Sequence, residues 1–275
     1  MARPEPVNPP WDPSHPNIHS ETLLIEPDMV LANQHMGLGK LAHILQVLAQ
    51  DAYYDQVETA AEILKRQMAW ILSKRDSEIE ALPTGGDEMV CRTWFRGARR
   101  GLAYREYRLE TGRGVLVKAQ SEWVLFDFAN RKLIMPSSPD FKLIPEFGHR
   151  QLKDAIARWR PKGVKEPEDS LELPLRYADF DLNQHVNNAR VLELLEELCH
   201  RQGIAPDRLK VNYKKEIPLG VDTLHLPIQT LSEQLMAFEV RSEETTHIIG
   251  EVSHGEGRID EGEKEGGVDF YVAQG

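Results

Sequence analysis

Only two cysteines, Cys91 and Cys199, occur in the 275 residues. They stand far apart and outside any CxxC spacing. That argues against a disulfide framework and a cysteine-built zinc site, and it suits a reducing cytoplasm. No apolar run approaches the roughly 18 residues of a membrane span, so no membrane insertion is expected. The opening residues lack the apolar core of a secretory signal and the Arg/Ser-rich bias of a transit peptide. Positive charge is also scarce. The 33 Lys+Arg against 44 Asp+Glu leave a formal charge of -11. This disfavours nucleic acid as a partner, because phosphate binding needs a basic surface. Two local basic clusters run against that balance. One spans 142–165, with Lys142, His149, Arg150, Lys153, Arg158, Arg160, Lys162 and Lys165; the other is Arg96, Arg99, Arg100 and Arg105. Each reads as an ordinary solvated face or as a docking patch. What remains is globular in balance, 41% hydrophobic and 28% charged. The length fits one large or two ordinary domains with a core that needs no staples.

Residues 1–18 hold six prolines and read as an extended, poorly ordered arm. The pattern after them is repeated. In the first half (19–139), a short extended segment precedes Leu38, Leu41, Leu45, Leu48 and Ala52, whose spacing predicts a long helix. Strands are predicted at 67–80, 88–96, 102–109 and 115–128, parted by Gly- and Pro-rich turns. The stretch 140–168 is charged, interrupted by prolines, and reads as a linker. In the second half (169–275), a strand at 170–176 precedes a helix carrying Val191, Leu194, Leu195, Leu198 and Cys199. Strands are predicted at 209–216, 223–231, 234–241 and 247–252. A flexible acidic loop at 254–267 and a short strand at 268–273 would follow. Asn33-Gln34-His35 before the first helix returns as Asn183-Gln184-His185 before the second, 150 residues on. The echo sits at the same place in two like patterns, which points to internal duplication. The expected class is α+β, each half a long helix wrapped by an antiparallel sheet.

The most informative stretch runs from Arg176 to Arg190. Asp181, Asn183 and His185 stand at alternate positions, so in an extended segment their side chains turn to one side. A carboxylate, an amide and an imidazole together are the parts of acyl-transfer or hydrolytic chemistry. Asn187 and Asn188 begin the helix, whose unpaired first-turn N–H groups offer a site for a developing oxyanion. Two other readings stay open: a polar loop that only caps the helix, and a metal pair, Asp181 with His185, for which no third ligand stands at a telling spacing.

The run Asp-x-Asn-x-His-Val-Asn-Asn entering a helix resembles the acyl-acyl carrier protein (ACP) thioesterases of plants and bacteria. The likeness covers most of residues 20–252. Further matching strings are Leu45-Gln46, Tyr104-Arg105-Glu106-Tyr107, Ser121-Glu122-Trp123-Val124-Leu125 and Asn212-Tyr213-Lys214-Lys215-Glu216. The resemblance implies a tandem hotdog fold and a catalytic set of Asp181, Asn183, His185 and Glu216. Many plant members have a cysteine after the glutamate; here Ile217 stands there, which disfavours a cysteine nucleophile. The first repeat has Leu31 where the second has Asp181. One active centre, in the second half, is therefore expected. The first half would supply the acyl pocket, with Met68, Trp70 and Leu72 as lining or plain core, and Asn188 would bind substrate at the helix start. The implied substrate and partner is acyl-ACP, the chain being a monomer or homodimer, with no cofactor and no metal. Rival readings are an acyl-CoA thioesterase on the same scaffold, a dehydratase, and a non-catalytic acyl-binding protein.

Overall fold

The structure, a computed structural model, describes residues 8–181 and 183–258, the last three by backbone alone. The loop beyond 258 and the strand expected at 268–273 lie outside the described residues.

The first half runs β1 (Ile18–Leu24), α1 (Leu38–Gln56), α2 (Ala60–Lys65), β2 (Met68–Ile79), β3 (Glu88–Arg99), β4 (Leu102–Thr111), β5 (Gly114–Asp127) and the short β6 (Lys132–Ile134). The second runs β7 (Asp169–Pro174), α3 (Asn188–Arg201), β8 (Ile204–Tyr213), β9 (Thr223–Ser232), β10 (Leu235–Ser242) and β11 (Thr245–Arg258). Among the described residues, one antiparallel sheet takes the order β1-β3-β4-β5-β2-β8-β11-β10-β9-β7, with β6 on β5. Read outward from its centre, the sheet repeats itself. β2 and β8 pair at the middle, then β5 and β11, β4 and β10, β3 and β9, β1 and β7. The duplication read from the sequence is thus a pseudo-twofold whose seam is the β2–β8 ladder, Lys74–Glu78 against Arg208–Asn212.

The helix stripes face inward. Leu38, Leu41, Leu45 and Leu48 of α1 share one core with Val191, Leu194, Leu195 and Leu198 of α3 and with the sheet's inner face. Burying each such leucine contributes about 2 kcal/mol. The helices touch where side chains are absent. A Cβ on Gly39 would stand 2.3 Å from Glu193 Cγ and 2.9 Å from the Ala189 carbonyl oxygen. The seam is further held by Arg208, whose guanidinium makes two 2.9 Å bonds to the buried Asp76 carboxylate across it.

Three features depart from the sequence reading. The proline-rich arm is packed over its described part: Trp11 lies 5.0 Å from the Trp94 ring, and Asn8 exchanges two hydrogen bonds with the Arg150 backbone. One large aromatic supplies the apolar contact that composition alone hid. The 140–168 segment is a strap, burying Ile144, Phe147, Leu152, Ile156 and Val164 and leaving Lys142, Lys153, Arg158, Arg160, Lys162 and Lys165 outward. The second basic cluster is broken up. Arg105 is buried against Thr93, and Arg96 is spent on the fully buried Glu106 at 2.9 Å.

Candidate active site

Two loops make the site. The first, 176–187, leads into α3. The second, 214–218, follows β8, which ends at Tyr213 and not at Glu216 as the sequence pattern predicted. The strand stops there because Lys214 and Lys215 both donate their N–H to one acceptor, the His247 carbonyl, at 2.8 and 3.2 Å. The loops are stitched together: Val186 N donates to the Ile217 carbonyl at 2.9 Å, and Leu219 N to the Gln184 carbonyl at 2.8 Å. That stitching sets His185 Nε2 3.2 Å from Glu216 Oε2. Glu216 therefore reaches the histidine from a loop that tertiary pairing positions.

Asp181 has a definite local task. Its Oδ1 accepts from Asn183 N at 2.8 Å and from His185 N at 3.2 Å, so one carboxylate oxygen shapes the turn. Gln184 takes the left-handed φ of 62° that the turn needs, as Gln34 does at 66° in the first repeat. In that first repeat Asn33 Oδ1 does the shaping, accepting from His35 N at 3.1 Å. Moving the job to residue 181 leaves the Asn183 amide unengaged by described residues and turned to the cavity. The loop base is anchored by Asp179. It is buried, hydrogen-bonded to Arg176 Nη2 at 2.8 Å and ion-paired with the Arg190 guanidinium at 3.0 Å. Burial works to raise its pKa, but the Arg176 bonds and the Arg190 charge outweigh it and hold the carboxyl below its usual range.

Sequence reasoning missed His247. It is buried, with Nδ1 2.9 Å from the Glu216 carbonyl oxygen and Nε2 2.6 Å from Ser242 Oγ. Burial pushes its pKa down. The neutral ring thus donates from Nδ1 to Glu216 and accepts at Nε2 from the Ser242 hydroxyl, fixing the backbone that carries the glutamate. A histidine inside a strand pattern carries no motif, so nothing in the sequence singled it out.

All eight residues proposed from the sequence line one cavity of about 980 Å³: Asp181, Asn183, His185 and Glu216, with Met68, Trp70, Leu72 and Asn188. Its walls differ in character. β2 and α2 of the first half, with Trp123 and Phe128, form an apolar end; the two loops of the second half form a polar one. Asn187 caps α3 by accepting from Ala189 N at 2.9 Å, and the free N–H groups of the first turn open at Asn188. Tyr213, Lys214 and Lys215 also line it, and the Tyr213 hydroxyl is buried with no partner among the described residues. Among those residues no group of three or more His, Cys, Asp or Glu is gathered to hold a metal ion.

Two family models match the chain, the acyl-ACP thioesterase N-terminal domain over residues 16–138 and its C-terminal domain over 163–258. The chain is 27% identical over 207 residues to the acyl-[acyl-carrier-protein] hydrolase FATB2, chloroplastic, of Cuphea viscosissima, which takes in 64% of this chain and 50% of that protein. It is 25% identical over 229 residues to the palmitoyl-acyl carrier protein thioesterase, chloroplastic, of Cuphea hookeriana, covering 69% and 55%. The chain spans about half the length of these curated relatives. Solved structures share its fold. An acyl-ACP thioesterase from Bacteroides thetaiotaomicron superposes with a TM-score of 0.76 at 22% identity, covering 87% of this chain and 98% of that one. The 12:0-ACP thioesterase from Umbellularia californica does so with a TM-score of 0.71 at 16% identity, covering 86% and 93%. The tandem hotdog is therefore the fold, and with both family models laid in order along its two halves the chain belongs to the acyl-ACP thioesterase family.

Proposed function

We propose that the chain hydrolyses fatty acyl thioesters carried on ACP, releasing the free fatty acid and the carrier thiol and so ending chain growth in fatty acid synthesis. The observation that carries this reading is the two-ended cavity. An apolar wall suits an acyl chain, and a polar wall with a histidine–carboxylate pair suits the thioester at its head.

The thioester carbonyl sits at the start of α3, where first-turn N–H groups stabilise the oxyanion. Glu216, held against His185, takes a proton from water. The water oxygen bonds to the carbonyl carbon, and the C=O electron pair moves to oxygen. When that pair returns, the C–S bond breaks, sulfur leaves with its electrons, and the proton Glu216 took passes by way of His185, 3.2 Å away, to the sulfur and makes the thiol. Asn183 orients the water or the carbonyl. Asp181 already holds two backbone N–H groups, which favours Glu216 as base and direct water attack over an anhydride at Asp181. The exposed lysines and arginines of the 142–165 strap offer the acidic carrier a local basic face. Two buried free thiols, each with a pKa pushed up to about 12 by burial, fit a reducing compartment such as the cytoplasm.

Turnover of acyl-ACP against acyl-CoA tests the reading. The expected result is faster kcat/KM on acyl-ACP, falling as salt rises. Glu216→Ala, Asn183→Ala and Asp181→Ala should each lower kcat by about 100-fold or more with the fold retained. A single turnover in oxygen-18 water should leave no label in Asp181. Near-normal rates in all three variants refute the site, and preference for acyl-CoA refutes the carrier.

A further inference from the structure

Each helix of the pseudo-twofold pair has an N-terminus facing the middle of the other, yet the two ends differ. At α1, Glu196 of α3 reaches across, and its Oε1 accepts from Leu38 N at 3.0 Å. Its second oxygen stands where a Cβ on Gly37 would come within 2.9 Å. The first-half counterpart of the active centre is therefore filled by the protein's own carboxylate. It also lacks both acids. Leu31 replaces Asp181, and His35 faces the Leu82 carbonyl oxygen at 3.4 Å where His185 faces Glu216.

At α3 the symmetry-equivalent position, 150 residues before Glu196, is Gln46 of α1. Gln46 is half-buried, lines the cavity together with Asn188, and its amide bonds no described residue. An acceptor oxygen already rests on the helix N-terminus in one half. In the other half no described residue accepts from Asn188 N, and the corresponding position on the facing helix carries a neutral amide that lines the same cavity.

We infer that Gln46 is a catalytic residue of the α3 site, its amide N–H donating together with Asn188 N to the thioester oxygen as it becomes an oxyanion. The inference rests on the thioesterase reading. A carboxylate at this position would accept from Asn188 N, as Glu196 does from Leu38 N, and would fill the oxygen's place. A glutamine supplies a donor and leaves the place open. The α1 helix of the non-catalytic half thus completes the active centre across the helix pair, and the choice of amide or acid at one position decides which of the two halves is open to substrate.

The test compares wild type, Gln46→Ala and Gln46→Glu on one acyl-ACP. Gln46→Ala should lower kcat by about 100-fold with KM within about threefold, and its melting temperature should match wild type. Gln46→Glu should be slower still at pH 8 and should recover relative to wild type toward pH 6, as its carboxyl protonates and regains a donor. Burial places the counterpart Glu196 at about 7. The ratio to wild type cancels the titration of His185, Glu216, Asp181, Lys214 and Lys215, the other charged groups of the cavity. An unchanged kcat in Gln46→Ala, or a loss confined to KM, overturns the inference and leaves the thioesterase reading standing. A wild-type protein that hydrolyses no acyl thioester overturns both.

Discussion

Asp181 and Asn33 show how one residue's job decides another's freedom. Each feeds an oxygen to a turn of the same shape, but only in the second repeat does the carboxylate take the work and release the asparagine. His247 acts one step further back, through the backbone of Glu216. His247→Leu keeps the ring's bulk but removes both hydrogen bonds. It should lower kcat about tenfold with little change in KM, because the glutamate's carrier loop loses its tether. Steady-state kinetics reads this directly, and His247→Gln, which can still donate to the Glu216 carbonyl, should restore most of the rate. The neutral ring also sets an acid limit. Its folded pKa is lowered, so its contribution to stability is complete above the ordinary histidine range and is lost as pH falls through the depressed value.

The helix pair is the element on which the site is built. Its separation is set by Gly39, which lets α1 lie against the Ala189 carbonyl. A methyl there pushes the helices apart at the crossing and tilts the α3 N-terminus relative to Gln46. Gly39→Ala should therefore destabilise the protein by about 1–3 kcal/mol despite alanine's better helix propensity, read as a shift in the urea midpoint. The stripes of both helices were legible from spacing alone. So was the start of α3, since Asn187 is a capping residue standing immediately before an apolar repeat. The short α2 was not read from spacing, although Thr59 and Glu62 form a capping box, because six residues are too few to show a period.

At the scale of the whole molecule the two halves are one sheet. The β2–β8 ladder, the Asp76–Arg208 pair and the strap that bonds Asp154 to Arg208 at 3.4 Å all cross the seam. Either half alone would expose a long central strand edge, a template for aggregation. Thermal unfolding of the full chain should therefore show one transition, with calorimetric and van't Hoff enthalpies in agreement. Two resolved transitions would mean the seam is weaker than its bonds imply.

By itself the sequence determined the duplication, the two amphipathic helices, and the loop that carries Asp181, Asn183 and His185. Those features are local, set by spacing along the chain and by side chains a few residues apart. Only the tertiary structure decided that Glu216 leaves its strand to meet His185, that His247 holds it there, that Arg105 is buried, and that Glu196 sits on the N-terminus of α1. Each of these joins residues a dozen or more positions apart in the chain. Such encounters come from strand register and helix crossing, and neither leaves a period in the sequence.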